Sequence, residues 1–253
     1  MQTLFEHPAI FGGLVFLLLW GAALATGWFV RTSEARHTAA KEDVRVLTTA
    51  VLTLLGLIIG FTFSMAISRY DLRKGLEEAE ANAIGTEYSR ADLLPAAEAA
   101  TIRQLLKEYT RARIFYYRPL TLGELEKSAA IRRGLQQELW SAVVKAAVAQ
   151  PTPTTALVVA GMNDVLNSEG YTQGAWLNRV PVEAWALLLF IALVASVMIV
   201  SSAPSLQRHS PLLLILPTLV AISLMIIADI DSPRGGLIVV GAPNLEIVLG
   251  QMR

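Results

Sequence analysis

The sequence predicts an all-α membrane protein with four membrane-spanning helices and a helical region outside the membrane between the second and third. The chain has 253 residues, of which 54% are hydrophobic, and a mean hydropathy of +0.50. These values exceed what a soluble domain needs. The excess lies in four apolar blocks, and the apolar residues between them recur at helical spacing without a convincing strand pattern. The predicted parts are 1–67, 68–182, 183–228 and 229–253.

The first two spans are predicted at 8–30 and 46–67. Each has about 20 apolar residues, enough to cross ~30 Å of hydrocarbon at 1.5 Å per residue. The residues before Pro8 contain no Lys or Arg, so the first block is expected to be a retained span instead of a signal peptide. The second block has no charge, and it continues into a charged helical sequence without a proline. One long helix is therefore expected to leave the bilayer.

The region 68–182 contains 14 Lys and Arg residues and 13 Asp and Glu residues. Prolines divide it, because proline stops or kinks a helix. We expect helices at 69–94, 97–117, 121–149 and 154–168, with a loop rich in Gly, Asn and Gln at 169–180. The last two spans are predicted at 183–201 and 212–228, followed by a tail. Four spans place both termini and the 68–182 region on one side of the membrane, and the positive charges are too evenly divided to say which.

Several functional classes lack support in the sequence. Lys plus Arg and Asp plus Glu both total 21, which does not indicate a nucleic-acid partner. The absence of cysteine excludes thiol catalysis and thiolate metal sites. No nucleotide-binding, hydrolase or metalloprotease motif is present, so we expect no enzyme. Transport coupled to an ion is disfavoured, since no span carries an interior charge.

Two neighbouring stripes run along the second span. The small-residue stripe permits close approach of another helix and consists of Gly56, Gly60 and Ser64. The Thr-Leu-Phe stripe consists of Thr53, Leu57 and Phe61. If several copies of this helix surrounded an axis, Leu57 and Phe61 would form an apolar ring that can gate a pore by dewetting. Alternatively, both stripes pack inside a monomeric bundle.

Charges beyond the spans also allow two interpretations. Arg69 could form a cationic ring at a vestibule and favour anions, or the following charges could form ordinary i,i+4 pairs such as Arg73 with Glu77. Asp229 and Asp231 precede a Pro and two Gly residues. They could supply oxygens to Ca²⁺, or they could cap a helix and shape a turn. Calcium is the one cofactor that we consider, and otherwise none is expected.

Three segments resemble the bestrophins. LLGLIIGF (54–61) followed by SRYD (68–71) is similar to their second membrane helix, and IADIDSPRGG (227–236) resembles the segment after their last span. The resemblance is closer to the bacterial bestrophin-like membrane proteins, through LLGLIIGFTFSMAISRYDLR, EANAIGTEYSRADLLP and the D-x-D-x-P-x-x-G tail. It covers most of the chain in order.

The resemblance implies a homopentamer in the bacterial plasma membrane, with both termini and the helical region in the cytosol. The second helices would line a central pathway for inorganic ions, most simply chloride. The family's neck residues correspond to Thr53, Leu57 and Phe61, and its calcium site would fall on Asp229 and Asp231. The alternative is a non-conducting membrane scaffold or sensor whose 68–182 region binds a partner.

Overall fold

The computed structural model describes residues 7–32, 40–202 and 214–252, and these residues form helices without any strand. The predicted all-α fold is confirmed. The helices are α1 (Pro8–Thr32), α2 (Ala40–Arg90), α3 (Ala96–Tyr116), α4 (Leu122–Ala149), α5 (Pro153–Leu177), α6 (Val182–Ser202), α7 (Ile215–Asp231) and α8 (Pro243–Gln251). A single 3₁₀ turn, Ala91–Leu93, follows α2.

The chain divides into two compact units. The membrane unit comprises Met1–Ser68 and Arg179–Val239, and the polar unit comprises Arg69–Asn178 and Val240–Arg253. The long helix α2 contributes residues to both, as its uninterrupted sequence predicts. The end of the tail, from Val240 onward, belongs to the polar unit.

In the membrane unit α1 packs against both α6 and α7. Its buried face carries residues at i,i+4 spacing: Phe11, Val15, Leu19 and Ala23. The Phe11 ring meets Trp185 of α6 edge-on, with the ring centroids 5.2 Å apart. A Cβ at Gly12 would lie 2.8 Å from the Cβ of Met225, so a glycine is needed where α1 and α7 approach.

Three stretches of the described residues are long and apolar enough to cross a bilayer. One is Pro8–Val30, and the others lie within Val44–Leu93 and Pro153–Ser202. The helix α7 has 17 residues in the described range. The first two residues of the span predicted at 212–228 lie outside the described residues.

The predicted loop at 169–180 is wrong for 169–177, because α5 continues to Leu177, and only 178–180 are non-helical. The helix begins with a capping box in which Thr152 and Thr155 bond each other's backbone N–H groups. Its last turns bury Glu169, Thr172 and Trp176 on one face. Burial of this face outweighs the local preference of Gly, Asn and Gln for a loop.

The core of the polar unit is formed where α3 packs against α4 and α8, and α4 against α5. Its fully buried apolar residues include Ile84, Ile102, Leu106, Leu139 and Met162. Buried ionic groups interrupt this apolar core.

Candidate ion-pathway helix and the ionic cluster of the polar unit

Within the membrane unit, one face of α2 is buried. Its buried residues are Thr48, Leu55, Thr62 and Ala66, and helical geometry places all four on one side. The Thr48 and Thr62 hydroxyls donate to the carbonyls of Val44 and Ile58 at 2.7 and 2.8 Å. Each of these two buried hydroxyl groups therefore has an acceptor for its proton.

The Thr-Leu-Phe stripe lies on the opposite side of α2 from this buried face, because about 3.6 residues make one turn. Leu57 is 54% exposed and Phe61 66% exposed, and Thr53 is exposed as well. The Thr53 hydroxyl bonds to the Thr49 carbonyl of its own helix at 2.9 Å. In the single chain this stripe therefore does not belong to the packed interior.

The small-residue stripe is also open in the single chain. A Cβ at Gly56 or Gly60 would meet no heavy atom within 4 Å, and Ser64 is exposed. Another helix of the same chain does not fill this groove within the described residues. The predicted packing role of the stripe stays a prediction.

Charged side chains of α2 differ in exposure where the polar unit begins. Arg69, the predicted vestibule cation, is half-buried and takes part in an interaction. Asp71, Lys74 and Glu78 are exposed, and the Lys74 ammonium lies 5.7 Å from the centroid of the Tyr70 ring. The exposed carboxylates thus outnumber the exposed ammonium on this segment.

Two further charges of α2 hold the ends of other helices in the polar unit. Buried Arg73 donates to the carbonyls of Ala175 and Asn178, at 3.1 and 3.0 Å, where α5 ends. Buried Glu77 accepts the Leu245 N–H at 2.9 Å and the Asn244 amide at 2.6 Å, where α8 begins. A cation at a helix C-terminus and an anion at a helix N-terminus both interact favourably with the helix dipole.

Four buried ionic side chains, Glu80, Arg113, Arg132 and Glu169, form what we call the ionic cluster. Arg113 makes a bidentate pair with Glu80, with its second bond at 2.9 Å. The Arg132 Nε donates to Glu169 at 2.7 Å. Both guanidinium groups lie against the ring of Tyr116, with the guanidinium carbons 4.8 and 4.5 Å from its centroid. The two positive and two negative charges compensate each other inside the unit.

Neutral partners saturate the Glu169 carboxylate. The Tyr109 hydroxyl donates to it at 2.9 Å, and the amides of Gln136 and Gln173 donate at 2.8 and 2.6 Å. Burial raises the pKa of Tyr109 well above its usual value, so the hydroxyl keeps its donor proton at neutral pH. The ionic cluster was not predicted from the sequence. The available signal was the placement of Arg113 and Arg132 at core-facing positions of their helices.

Asp229 and Asp231 bind backbone N–H groups of the membrane unit. The two oxygens of Asp229 accept from Leu237 and Ile238 at 2.8 and 3.1 Å, and Asp231 accepts from Val180 at 3.0 Å. Gly236 has a φ of +89°, and a Cβ there would lie 1.5 Å from an Asp229 oxygen. These contacts match the predicted turn-shaping role.

Calcium binding at these aspartates stays a prediction. The described residues contain no group of three or more His, Cys, Asp or Glu side chains that could hold a metal ion.

No family model and no curated protein matches the sequence. Solved structures do match. A bacterial bestrophin homologue from Klebsiella pneumoniae is 16% identical, over 96% of this chain and 95% of that chain, with a TM-score of 0.65. A variant of it is 13% identical over 95% and 93%, with a TM-score of 0.67. A structure described as a membrane protein is 14% identical over 96% and 97%, with a TM-score of 0.68. The chain has a bestrophin-like fold, as the resemblance implied.

Proposed function

We propose that this protein is one subunit of a bestrophin-like ion channel with four spans per chain, and that the second helix of each subunit lines a central pore. The observation that carries the proposal is the exposure of the Thr-Leu-Phe stripe on an uncharged helix, opposite that helix's own buried face. The fold supports it, because the matched structures are bestrophin homologues.

An oligomer accounts for both open stripes of α2. Glycines at an exposed helix surface allow a second helix to approach closely, and membrane helices associate largely through such small residues. With Gly56 and Gly60 open in the single chain, packing by a neighbouring copy would turn the adjacent Thr-Leu-Phe stripe towards the common axis. The proposed assembly is the pentamer that the resemblance implies, in a bacterial plasma membrane with both termini cytosolic.

In this assembly Leu57 and Phe61 form the constriction. An apolar ring expels water when it is narrow enough, and ions then lose their hydration. No charged side chain lies between Val46 and Ile67 to replace that hydration. Conduction therefore requires the ring to widen, and the closed neck acts as the barrier.

The sign of the conducted ion is a separate question. The resemblance implies anions, with Arg69 as the vestibule charge. The exposed side chains favour the opposite sign, because Arg69 is half-buried while two carboxylates, Asp71 and Glu78, are exposed against one ammonium, that of Lys74. Rings of carboxylates favour cations. Reversal potentials in asymmetric salt distinguish these two possibilities.

The test of the channel itself is subunit counting together with flux. Purified protein should be a pentamer by native mass spectrometry, and liposomes containing it should pass inorganic ions. A monomer without flux contradicts the proposal. A stable oligomer without flux under any condition instead supports the non-conducting scaffold or sensor.

One observation favours that second candidate. The helix α4 exposes apolar side chains at i,i+4,i+8 spacing, namely Trp140, Val144 and Val148. Such an exposed apolar stripe suits a partner protein. Substituting it should abolish partner binding if the protein is a scaffold, and should leave flux unchanged if it is only a channel.

A further inference from the structure

Glu87 of α2 is a fully buried carboxyl group that lies outside the ionic cluster. Its side chain has 0% exposure. Neither carboxyl oxygen has a hydrogen-bond partner among the described residues. Buried carboxylates are normally paired or hydrogen-bonded, because an uncompensated buried charge is strongly unfavourable. The proposed channel assigns Glu87 no role.

The carboxyl group of Glu87 fills a notch on α5 that a glycine creates. A Cβ at Gly161 would lie 2.0 Å from the Oε2 of Glu87 and 2.4 Å from a guanidinium nitrogen of Arg90. Gly161 is itself buried. The two helices of the polar unit therefore touch at this position, with the carboxyl group between them.

The charges around Glu87 compensate an ionised carboxylate only in part. The nearest cation is Arg90 on the next turn of α2, at 4.0 Å with a side chain 34% exposed. On α5, Asp164 adds a negative charge that disfavours ionisation of Glu87. On the turn after α2, Asp92 pairs with Arg103. Burial is the largest effect, and it raises the pKa of Glu87 to about 8, while Arg90 lowers this pKa.

We propose that Glu87 and Gly161 form a proton-dependent latch between α2 and α5, closed while the Glu87 carboxyl is protonated and loosened when it ionises. The neutral acid can occupy the notch without an uncompensated charge. The ionised form places in the helix contact a charge that Arg90 compensates only in part. Hydration of the carboxylate then becomes favourable, and it separates the helices. The polar unit thereby responds to alkaline pH independently of whether the protein conducts ions.

The direction of the pH dependence follows from linkage. The folded-state pKa of Glu87 lies above its unfolded-state value of 4.5. The stabilisation is therefore fully present below about pH 4.5 and is lost as the pH rises through about 8.

The first experiment measures the thermal unfolding midpoint of the full-length protein between pH 5 and pH 9. For the wild type the midpoint should fall from pH 5 to about pH 8, and for Glu87→Gln this fall should be smaller, with the part that remains due to other buried carboxyl groups such as Glu77. Glu126→Gln, at an exposed carboxyl group of α4, is the matched control and should keep the wild-type profile. Equal pH profiles for the wild type and Glu87→Gln would overturn the latch.

Two charge variants test the same idea with Glu87 in place. Asp164→Asn removes the charge that disfavours ionisation of Glu87. The pH of loosening, which is the pH at which the unfolding midpoint has lost half of its Glu87-dependent part, should therefore fall. Arg90→Gln removes the opposing cation, so the pH of loosening should rise. If Asp164 and Arg90 had only structural roles, the two variants would not shift this pH in opposite directions. Shifts in the same direction, or no shift, contradict the proposal even if Glu87→Gln fails to fold.

A local readout comes from single cysteines, since the chain has none of its own. Val158 is buried on α5 and Ala160 is exposed. The labelling rate of Val158→Cys divided by that of Ala160→Cys is measured with Glu87 and again with Glu87→Gln, because a buried thiol has a higher pKa than an exposed one and this difference is common to both backgrounds. Between pH 7 and pH 9 the ratio should rise several-fold more with Glu87 than with Glu87→Gln. An equal rise in the two backgrounds would show that the contact does not open.

Discussion

Arg113 of α3 and Glu80 of α2 form a bidentate ion pair in which neither side chain has any solvent exposure. The pair couples the continuation of the membrane helix to the core of the polar unit. Thr172 and Tyr117 also donate to Glu80, at 3.2 and 3.3 Å. The long helix is therefore held in the polar unit by directional bonds in addition to apolar contacts.

Removing the cation of this pair should strongly destabilise the polar unit. In Arg113→Met the carboxylate of Glu80 remains buried without its counter-ion, a situation that typically costs about 3–5 kcal/mol. The thermal unfolding midpoint of the purified protein should fall by several degrees or more. Arg111→Met, at an exposed position of the same helix, should change it little. Equal effects of the two variants would mean that the buried pair is not special.

Shortening the neck side chains should increase ion flux. Leu57→Ala and Phe61→Ala widen the proposed ring and lower its barrier to water. Flux from liposomes should rise at least several-fold for each variant. Phe63→Ala is the matched control, because Phe63 is exposed on a different side of α2. Increased flux in Phe63→Ala alone would place the pathway elsewhere.

Neutralising the exposed carboxylates should change ion selectivity. If Asp71 and Glu78 face the pathway, Asp71→Asn combined with Glu78→Gln removes two negative charges per subunit. The reversal potential in asymmetric salt should then shift towards that of the anion, and the shift should shrink at high ionic strength. If Arg69→Gln produces the larger shift, and towards cations, the anion hypothesis from the resemblance is correct.

Gly236 should not tolerate a side chain. Its φ of +89° is strained for any L-residue, and a Cβ would displace the Asp229 carboxylate. Gly236→Ala should lower the free energy of unfolding by about 1–3 kcal/mol. Gly250→Ala provides the comparison, since a Cβ there meets open space on a helix and should be neutral or stabilising. A neutral Gly236→Ala would show that the turn can rearrange.

Calcium should leave the stability of the protein unchanged. Backbone N–H groups already bond to both oxygens of Asp229 and to Asp231, so a cation would compete with these N–H groups for the same oxygens. Among the described residues no third His, Cys, Asp or Glu side chain joins them. Adding millimolar Ca²⁺ should therefore not move the unfolding midpoint, with Mg²⁺ as the control for ionic strength. A rise specific to Ca²⁺, lost in Asp231→Asn, would establish the predicted site.

The sequence by itself determined the helical class, the long helix that continues beyond the membrane, and the existence of a Thr-Leu-Phe stripe. These features depend on local periodicity, which hydrophobic and polar residues encode directly. The stripe could be recognised at 53, 57 and 61, but whether it lies inside the bundle or on its surface could not. That depends on which other face of the helix the chain buries.

Only the tertiary structure decided which charged side chains of α2 are buried and which are exposed. Three of these residues are close in sequence but differ in environment. Arg69 is half-buried, Asp71 is exposed, and Arg73 donates to a carbonyl at the end of α5. The extension of α5 through Glu169 was likewise decided by burial of polar groups that have partners on other helices. Such partners are distant in the chain. The interactions that stabilise these residues in their positions therefore cannot be recognised from a local sequence pattern.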